Sequence, residues 1–402
     1  MKTTQNILVL TYWSFSDALI QTYTLPYLKI IQRQLSPEST IQLLTLEKDF
    51  AASGNQVDSI SSAGIQWIPF AYHPFGLRAL GSWLLIVLKL MVMIRRKRIT
   101  TIHCWATPAG SIGVVLAWLT GKSLVIDSYE PHAEAMVENG TWKKNSPAFR
   151  LLFALEKYQT RRAKYLIAAH EGMRAYALEK YGVNVRRMLV KPACVDMVLF
   201  DDSKSKDSDL LKSLNLVDKI VCVYAGKFGG IYLDKEVFDF LKEGHVRWGD
   251  RFRVLLLTSH NEEEINGYCL AAGLDRSIII TRFVPHHEIP KYIGLGDFAL
   301  TPVKPVPTKR YCTPIKDGEY WAMGLPVVIT NGISNDSEII RANGVGAVLD
   351  RLDTAAYRSA LNTIDALLAQ PREALRKKIR AIASVNRNFA IAEQVYQEIY
   401  GH

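Results

Sequence analysis

Short aliphatic and β-branched runs recur along the chain, and most are followed by a stretch in which apolar residues return every three or four positions. In the first half the runs Ile7–Thr11, Ile41–Thr45, Ile65–Ile68, Ile99–Cys104, Ser123–Asp127, Tyr165–Ala168 and Arg187–Lys191 read as strands. The second half restarts the alternation with Ile220–Tyr224, Arg253–Leu257, Ile278–Thr281, Phe298–Thr301, Leu325–Ile329 and Ala347–Leu349. Strands alternating with helices predict an α/β protein with parallel sheets. The string "DDSKSKDSD" from Asp201 is polar and poor in β-branched residues, which predicts a linker or exposed loop there. The expected division is 1–203 and 204–385, with 386–402, "NRNFAIAEQVYQEIYGH", as one amphipathic C-terminal helix.

Two apolar segments bear on targeting. The N-terminal run in "MKTTQNILVLTYWSFSD" is too short for the apolar core of a signal peptide, so a cytoplasmic location is expected. "WLLIVLKLMVMIRRKR", Trp83 to Arg98, is broken by Lys89 and falls short of the roughly 20 apolar residues a membrane span needs. Its basic end suits an anionic leaflet, and equally the last turn of a core helix, where cations oppose the dipole's negative end.

Composition narrows the class. The chain has 402 residues, 49% hydrophobic and 22% charged, as a folded protein with two substantial cores would have. A formal net charge of +10 favours anionic partners. The basic clusters are not interleaved with aromatic residues in any nucleic-acid module, so nucleic acid is not an expected partner. Five scattered cysteines, with no Cys-x-x-Cys pair, fit a reducing compartment and no structural metal.

Ligands of open parallel sheets sit at the carboxyl ends of strands, so the residues after each run carry the candidate chemistry. After Ile220–Tyr224 comes "AGKFGGIYLDKE", where Gly226, Gly229 and Gly230 permit close backbone approach and Lys227 adds charge. In "TPIKDGEYWAMGLPVVIT" Thr313 reads as a helix N-cap and Pro314 as the first helical residue, which puts Lys316 third. A cation there opposes the helix dipole. Either Lys316 is solvated or an anion such as phosphate occupies the helix start. Neither a P-loop nor a Gly-x-Gly-x-x-Gly turn after the first strand is present.

"YCTPIKDGEYWAMGLPVVITN", with its Pro-x-Lys-x-x-Glu-Tyr-x-Ala-x-Gly-x-Pro-Val-Val core, resembles the nucleotide-sugar signature of the retaining glycosyltransferases of family 4. "VYAGKFGGIYLDKEVFDFL" is similar to that family's phosphate loop. "RFVPHHEIPKYIGLGDFALTPV" resembles its base loop, and "VKPACVDMVLF" the start of its second domain. The order of these segments is the family's, over most of the chain. The resemblance implies the GT-B fold: two Rossmann-like domains facing a cleft and a last helix returning to the N-terminal domain. It implies that Lys227 and Lys316 face a donor pyrophosphate beside Gly226, Gly229 and Gly230, with Thr313 and Pro314 at the helix start. Glu319 would accept from ribose hydroxyls, and the loop at Phe283, Val284 and Pro285 would line the base.

The sequence also departs from the family. Tyr311 stands where the fuller Glu-x7-Glu motif has its first Glu, and "LLLTSHNEEE" and "TYWSFSDALIQ" replace glycine-containing turns. In the N-terminal half "VIDSYEPHAEAMVENGTW" places Asp127, Glu130 and His132 after a strand; the family often has a His here, making Glu130 and His132 the catalytic candidates. His103 reads as structural, and Asp17 with Ser16 as acceptor-site candidates by position. No Asp-x-Asp motif is present, so neither metal nor other cofactor is expected, and the two lysines would stabilise the departing nucleoside diphosphate. The implied partners are a nucleotide-sugar donor, UDP before GDP, and a glycan or lipid-linked acceptor. A nucleotide-sugar epimerase, a phosphorylase and a catalytically silent sugar-binding subunit are the competing readings.

Overall fold

A computed structural model describes residues 4–50, 60–61, 64–73 and 77–401, the side chains of 77–80 excepted. The chain forms two compact units, Met1–Lys191 with Ala390–His402, and Pro192–Phe389. In the first, β1 (Asn6–Leu10), β2 (Ile41–Glu47), β3 (Ile65–Ala71), β4 (Ile99–Trp105), β5 (Ser123–Tyr129), β6 (Tyr165–Ala168) and β7 (Met188–Val190) make one parallel sheet. Its order is β3-β2-β1-β4-β5-β6-β7, so the chain reverses direction across the sheet between β1 and β4. In the second, β8 (Ile220–Ala225), β9 (Phe252–Leu257), β10 (Ile279–Arg282), β11 (Phe298–Thr301), β12 (Val327–Thr330) and β13 (Gly346–Leu349) are also parallel. The order β10-β9-β8-β11-β12-β13 puts the reversal between β8 and β11.

Every strand read from the sequence is present, within one or two residues of its expected ends except β3, which runs three residues further to Ala71. The reason is burial on both faces. Ile7 to Leu10, Val221 to Tyr224 and Val327 to Ile329 are all buried, and strands covered on both sides by helices read as unbroken apolar runs.

The domain boundary differs from expectation, at 191/192 instead of 203/204. Val195 and Phe200 are buried in the second unit's core, and the polar string after them is a series of caps. Asp201 accepts from the Ser203 N–H at 3.1 Å, and Asp207 accepts from the Asp209 and Leu210 N–H groups at 3.1 and 2.9 Å. Lys206 pairs with Asp297 at 2.9 Å, and Arg380 with Asp202 at 2.9 Å. These polar residues fasten local turns, which a composition reading mistakes for a linker. The C-terminal helix runs Phe389–Tyr400, shorter than the expected 386–402; Asn386 ends the preceding helix, Arg387 is ion-paired with Asp336 in the second unit, and the first unit includes the chain from Ala390.

Candidate functional site

In the second unit the loop after β8 and the helix Ile315–Ala322 meet at the sheet's reversal point, where parallel α/β sheets bind ligands. The Ala225 N–H donates to the Tyr320 hydroxyl at 2.8 Å, tying the helix to the end of β8. The helix begins one residue later than expected. Pro314 is its N-cap, extended at φ −65°, ψ 125°, and the Thr313 hydroxyl lies 3.2 Å from that of Ser334. Lys316 is therefore the second helical residue.

Its side chain is buried, which excludes the solvated alternative. The ammonium lies 3.8 Å from the ring centroid of Tyr232 and 4.7 Å from that of Tyr224, and no group accepts a hydrogen bond from it. A Cβ on Gly226 would come within 2.8 Å of Lys316 Nζ, so the glycine leaves the ammonium its space. Burial pulls the Lys316 pKa down, and Tyr232, Tyr224 and Asp317 together outweigh it to give a net rise. The tyrosines' share of that push acts in the alkaline range where phenols ionise, about pH 10; burial holds Tyr224 itself up to about 12. At neutral pH the cation has two ring faces and the Coulombic pull of Asp317, but no hydrogen-bond acceptor.

The groups around Lys316 are fixed in turn. Asp317, fully buried, accepts from the Thr301 hydroxyl; burial pushes its pKa up to about 6 against the opposing pull of that bond, Arg387 and Lys316. Glu319, one turn along, lies 3.3 Å from His286 Nε2, so an imidazole from the loop after β10 orients its carboxylate. Val284 packs on the core while Phe283 beside it is 81% exposed. Gly229 and Gly230 have φ of +77° and +62°, left-handed backbone that favours glycine. The Lys227 side chain is exposed, and its carbonyl accepts from the Tyr224 hydroxyl at 2.5 Å.

Sequence reasoning missed His260. The Phe228 N–H donates to its Nε2 at 2.9 Å, leaving the proton on Nδ1, which faces Glu264 at 3.1 Å. This support comes from "TSHNEEE", the segment that replaces the family's glycine turn.

In the first unit Glu130 and His132 lie together, Oε1 to Nδ1 3.4 Å, partly exposed after β5. Asp17 accepts from the Leu19 N–H at 2.9 Å, starting the helical segment that follows, and Ser16 is exposed beside it. Asp127 is in the strand, fully buried, contrary to its placement on a loop. It lies 3.3 Å from Lys191 Nζ and 3.5 Å from His103 Nε2, and accepts from Tyr396 at 2.6 Å. Burial would raise its pKa, yet Lys191, His103 and Tyr396 together bring it down to about 2. His103 is structural, its Nδ1 2.7 Å from the Tyr400 hydroxyl. No pattern along the chain marks buried Glu156, which accepts from Thr107, the Ala133 N–H and Tyr181 at 3.0 Å each. Burial pushes its pKa up to about 7, with His132 and those bonds opposing. No group of three metal-ligating side chains is found among the described residues.

Two parallel α/β units with these strand orders define the GT-B fold class. No protein-family model matches the chain, and none of the curated proteins matches it. Solved structures are similar over nearly the whole length. Sucrose-phosphate synthase from Thermosynechococcus elongatus has a TM-score of 0.75 at 15% identity, covering 99% of this chain and 98% of that one. Anabaena HepE in complex with UDP-glucose has a TM-score of 0.71 at 16% identity, covering 98% of each. WaaG, a glycosyltransferase involved in lipopolysaccharide biosynthesis, has a TM-score of 0.70 at 12% identity, covering 99% and 100%. At such identities the likeness establishes the fold.

Proposed function

We propose that the chain is a metal-independent retaining glycosyltransferase. It moves a sugar from a nucleoside diphosphate sugar, UDP in preference to GDP, to a glycan or lipid-linked acceptor in surface polysaccharide or glycoconjugate synthesis inside the cell. The observation that carries this reading is Lys316: a buried cation without a hydrogen-bond acceptor, at a helix start, against a glycine that keeps the space open. A diphosphate supplies the acceptor oxygens this group lacks, and charge-assisted bonds of that kind are among the stronger ones. UDP is preferred because HepE, of the same fold, has been solved with UDP-glucose.

By this reading Lys227 closes over the pyrophosphate from its exposed loop, and Glu319, set by His286, takes the ribose hydroxyls. As the glycosidic bond to the diphosphate lengthens, negative charge builds on the leaving oxygens. In this scheme Lys316, the helix start and Lys227 stabilise it. Transfer on the leaving group's own face, within an ion pair, needs no protein nucleophile. Glu130 and His132 are the candidates to support the transfer, and Asp17 with Ser16 to contact the acceptor.

The test is turnover of UDP-sugars in EDTA with methanol as surrogate acceptor, the methyl glycoside's anomer being read by NMR. The expected product retains the donor's configuration. An inverted glycoside, a free epimerised nucleotide sugar, or no turnover with UDP- or GDP-sugars would each overturn the proposal.

A further inference from the structure

Three helices of the first unit pack side by side: Leu77–Arg96 against Ala106–Thr120, and that in turn against Pro147–Arg162. Each leads into the next parallel strand, so their C-terminal ends gather at one edge of the sheet. The outward face of the first is apolar where a surface helix is normally polar. Leu84, Leu85, Leu88 and Val92 are 61%, 60%, 58% and 50% exposed, while Ile86, Leu90 and Ile94 are buried on the opposite side. The second helix adds Trp118, 67% exposed, with Val115 and Leu119. This second contribution had no signal in the sequence reading of 83–98.

Charge says what covers the face. The first two helices contain no Asp or Glu, and the only one on the third, Glu156, is fully buried. The exposed charges beside the apolar patch are cations: Lys89, Arg95 and Arg96 on the first helix, Lys97 and Arg98 just past it, and Arg161 ending the third. Aliphatic and Trp side chains that share their helices with exposed cations and no exposed carboxylate match an anionic bilayer surface, apolar atoms reaching the acyl boundary and cations the headgroups. A second copy of the chain would bring the same cations face to face, so self-association is disfavoured.

We infer that this three-helix face docks on an anionic lipid surface, an inference that stands apart from the donor reading. The test is co-sedimentation of the full chain with phosphatidylcholine vesicles, with and without phosphatidylglycerol. Binding is expected only to the anionic vesicles and should fall as salt rises. Arg95→Gln and Arg96→Gln should each weaken it about fivefold, as expected for one cation near the headgroups. Leu88→Glu with Trp118→Glu should abolish it with an unchanged melting temperature, since both side chains are exposed. Absence of binding to anionic vesicles, or binding unaffected by these substitutions, would overturn the inference. So would a dimer in lipid-free buffer that Leu88→Glu dissociates, because the face would then be an interface between copies.

Discussion

Replacing Lys316 by Met separates a ligand site from a structural one, because the two roles move stability and affinity differently. In the free protein the change relieves an ion buried without an acceptor, an effective penalty of several kcal/mol, and a repulsion with the helix start of about 0.3–1 kcal/mol. It also loses two contacts with tyrosine rings, each about 0.5–2 kcal/mol, seen at 3.8 and 4.7 Å. These terms nearly cancel, and the balance leans to stabilisation by about 1 kcal/mol, a rise of about 2–4 °C for a unit of this size. Binding of UDP should weaken by about 1.5–3 kcal/mol, the range for a hydrogen bond to a charged group, or roughly 10- to 150-fold. Differential scanning calorimetry gives the first quantity and titration calorimetry in EDTA the second. A lower melting temperature with unchanged UDP affinity would refute the reasoning and make Lys316 a structural residue.

Three further outcomes are expected. Gly226→Ala puts a methyl 2.8 Å from Lys316 Nζ and strains a φ of +154°, so UDP affinity should fall by titration calorimetry. Glu156 has a folded-state pKa of about 7 against an ordinary 4.5, so its contribution is full below about pH 4.5 and lost as pH rises through 7. Glu156→Gln, which keeps the acceptor for Thr107 and Ala133, should flatten that loss of about 3 kcal/mol in urea titrations across this range. Asp127, held down to about 2, contributes above pH 4 and loses its effect as pH falls toward 2. Asp127→Asn should cost about 3–5 kcal/mol at neutral pH, because Lys191 is left as an uncompensated buried charge.

The parallel sheets were legible because doubly covered strands must be apolar throughout, a pattern that survives without any knowledge of contacts. The glycine loop and the Pro-x-Lys-x-x-Glu helix were legible for a different reason: backbone approach to an anion restricts residue type locally. Burial was not legible. Lys316, Asp127, Lys191 and Glu156 are polar letters in polar or mixed contexts, and only partners distant in the chain, such as Tyr232 or Tyr396, put them inside. The same limit misplaced the domain boundary, since Asp201 and Asp207 look like linker residues until the backbone groups they cap are known. It also misassigned the N-cap. Thr313 has the right side chain, but its hydroxyl is engaged with Ser334 on the loop after β12.

The central claim is that the buried ammonium of Lys316 awaits a diphosphate. A crystal structure of the protein soaked with UDP in EDTA tests it most directly. The account predicts a phosphate oxygen within about 2.7–2.9 Å of Lys316 Nζ, the distance of a charge-assisted bond, with the ribose hydroxyls on Glu319. A diphosphate bound elsewhere, with Lys316 still held only between Tyr224 and Tyr232, would contradict it.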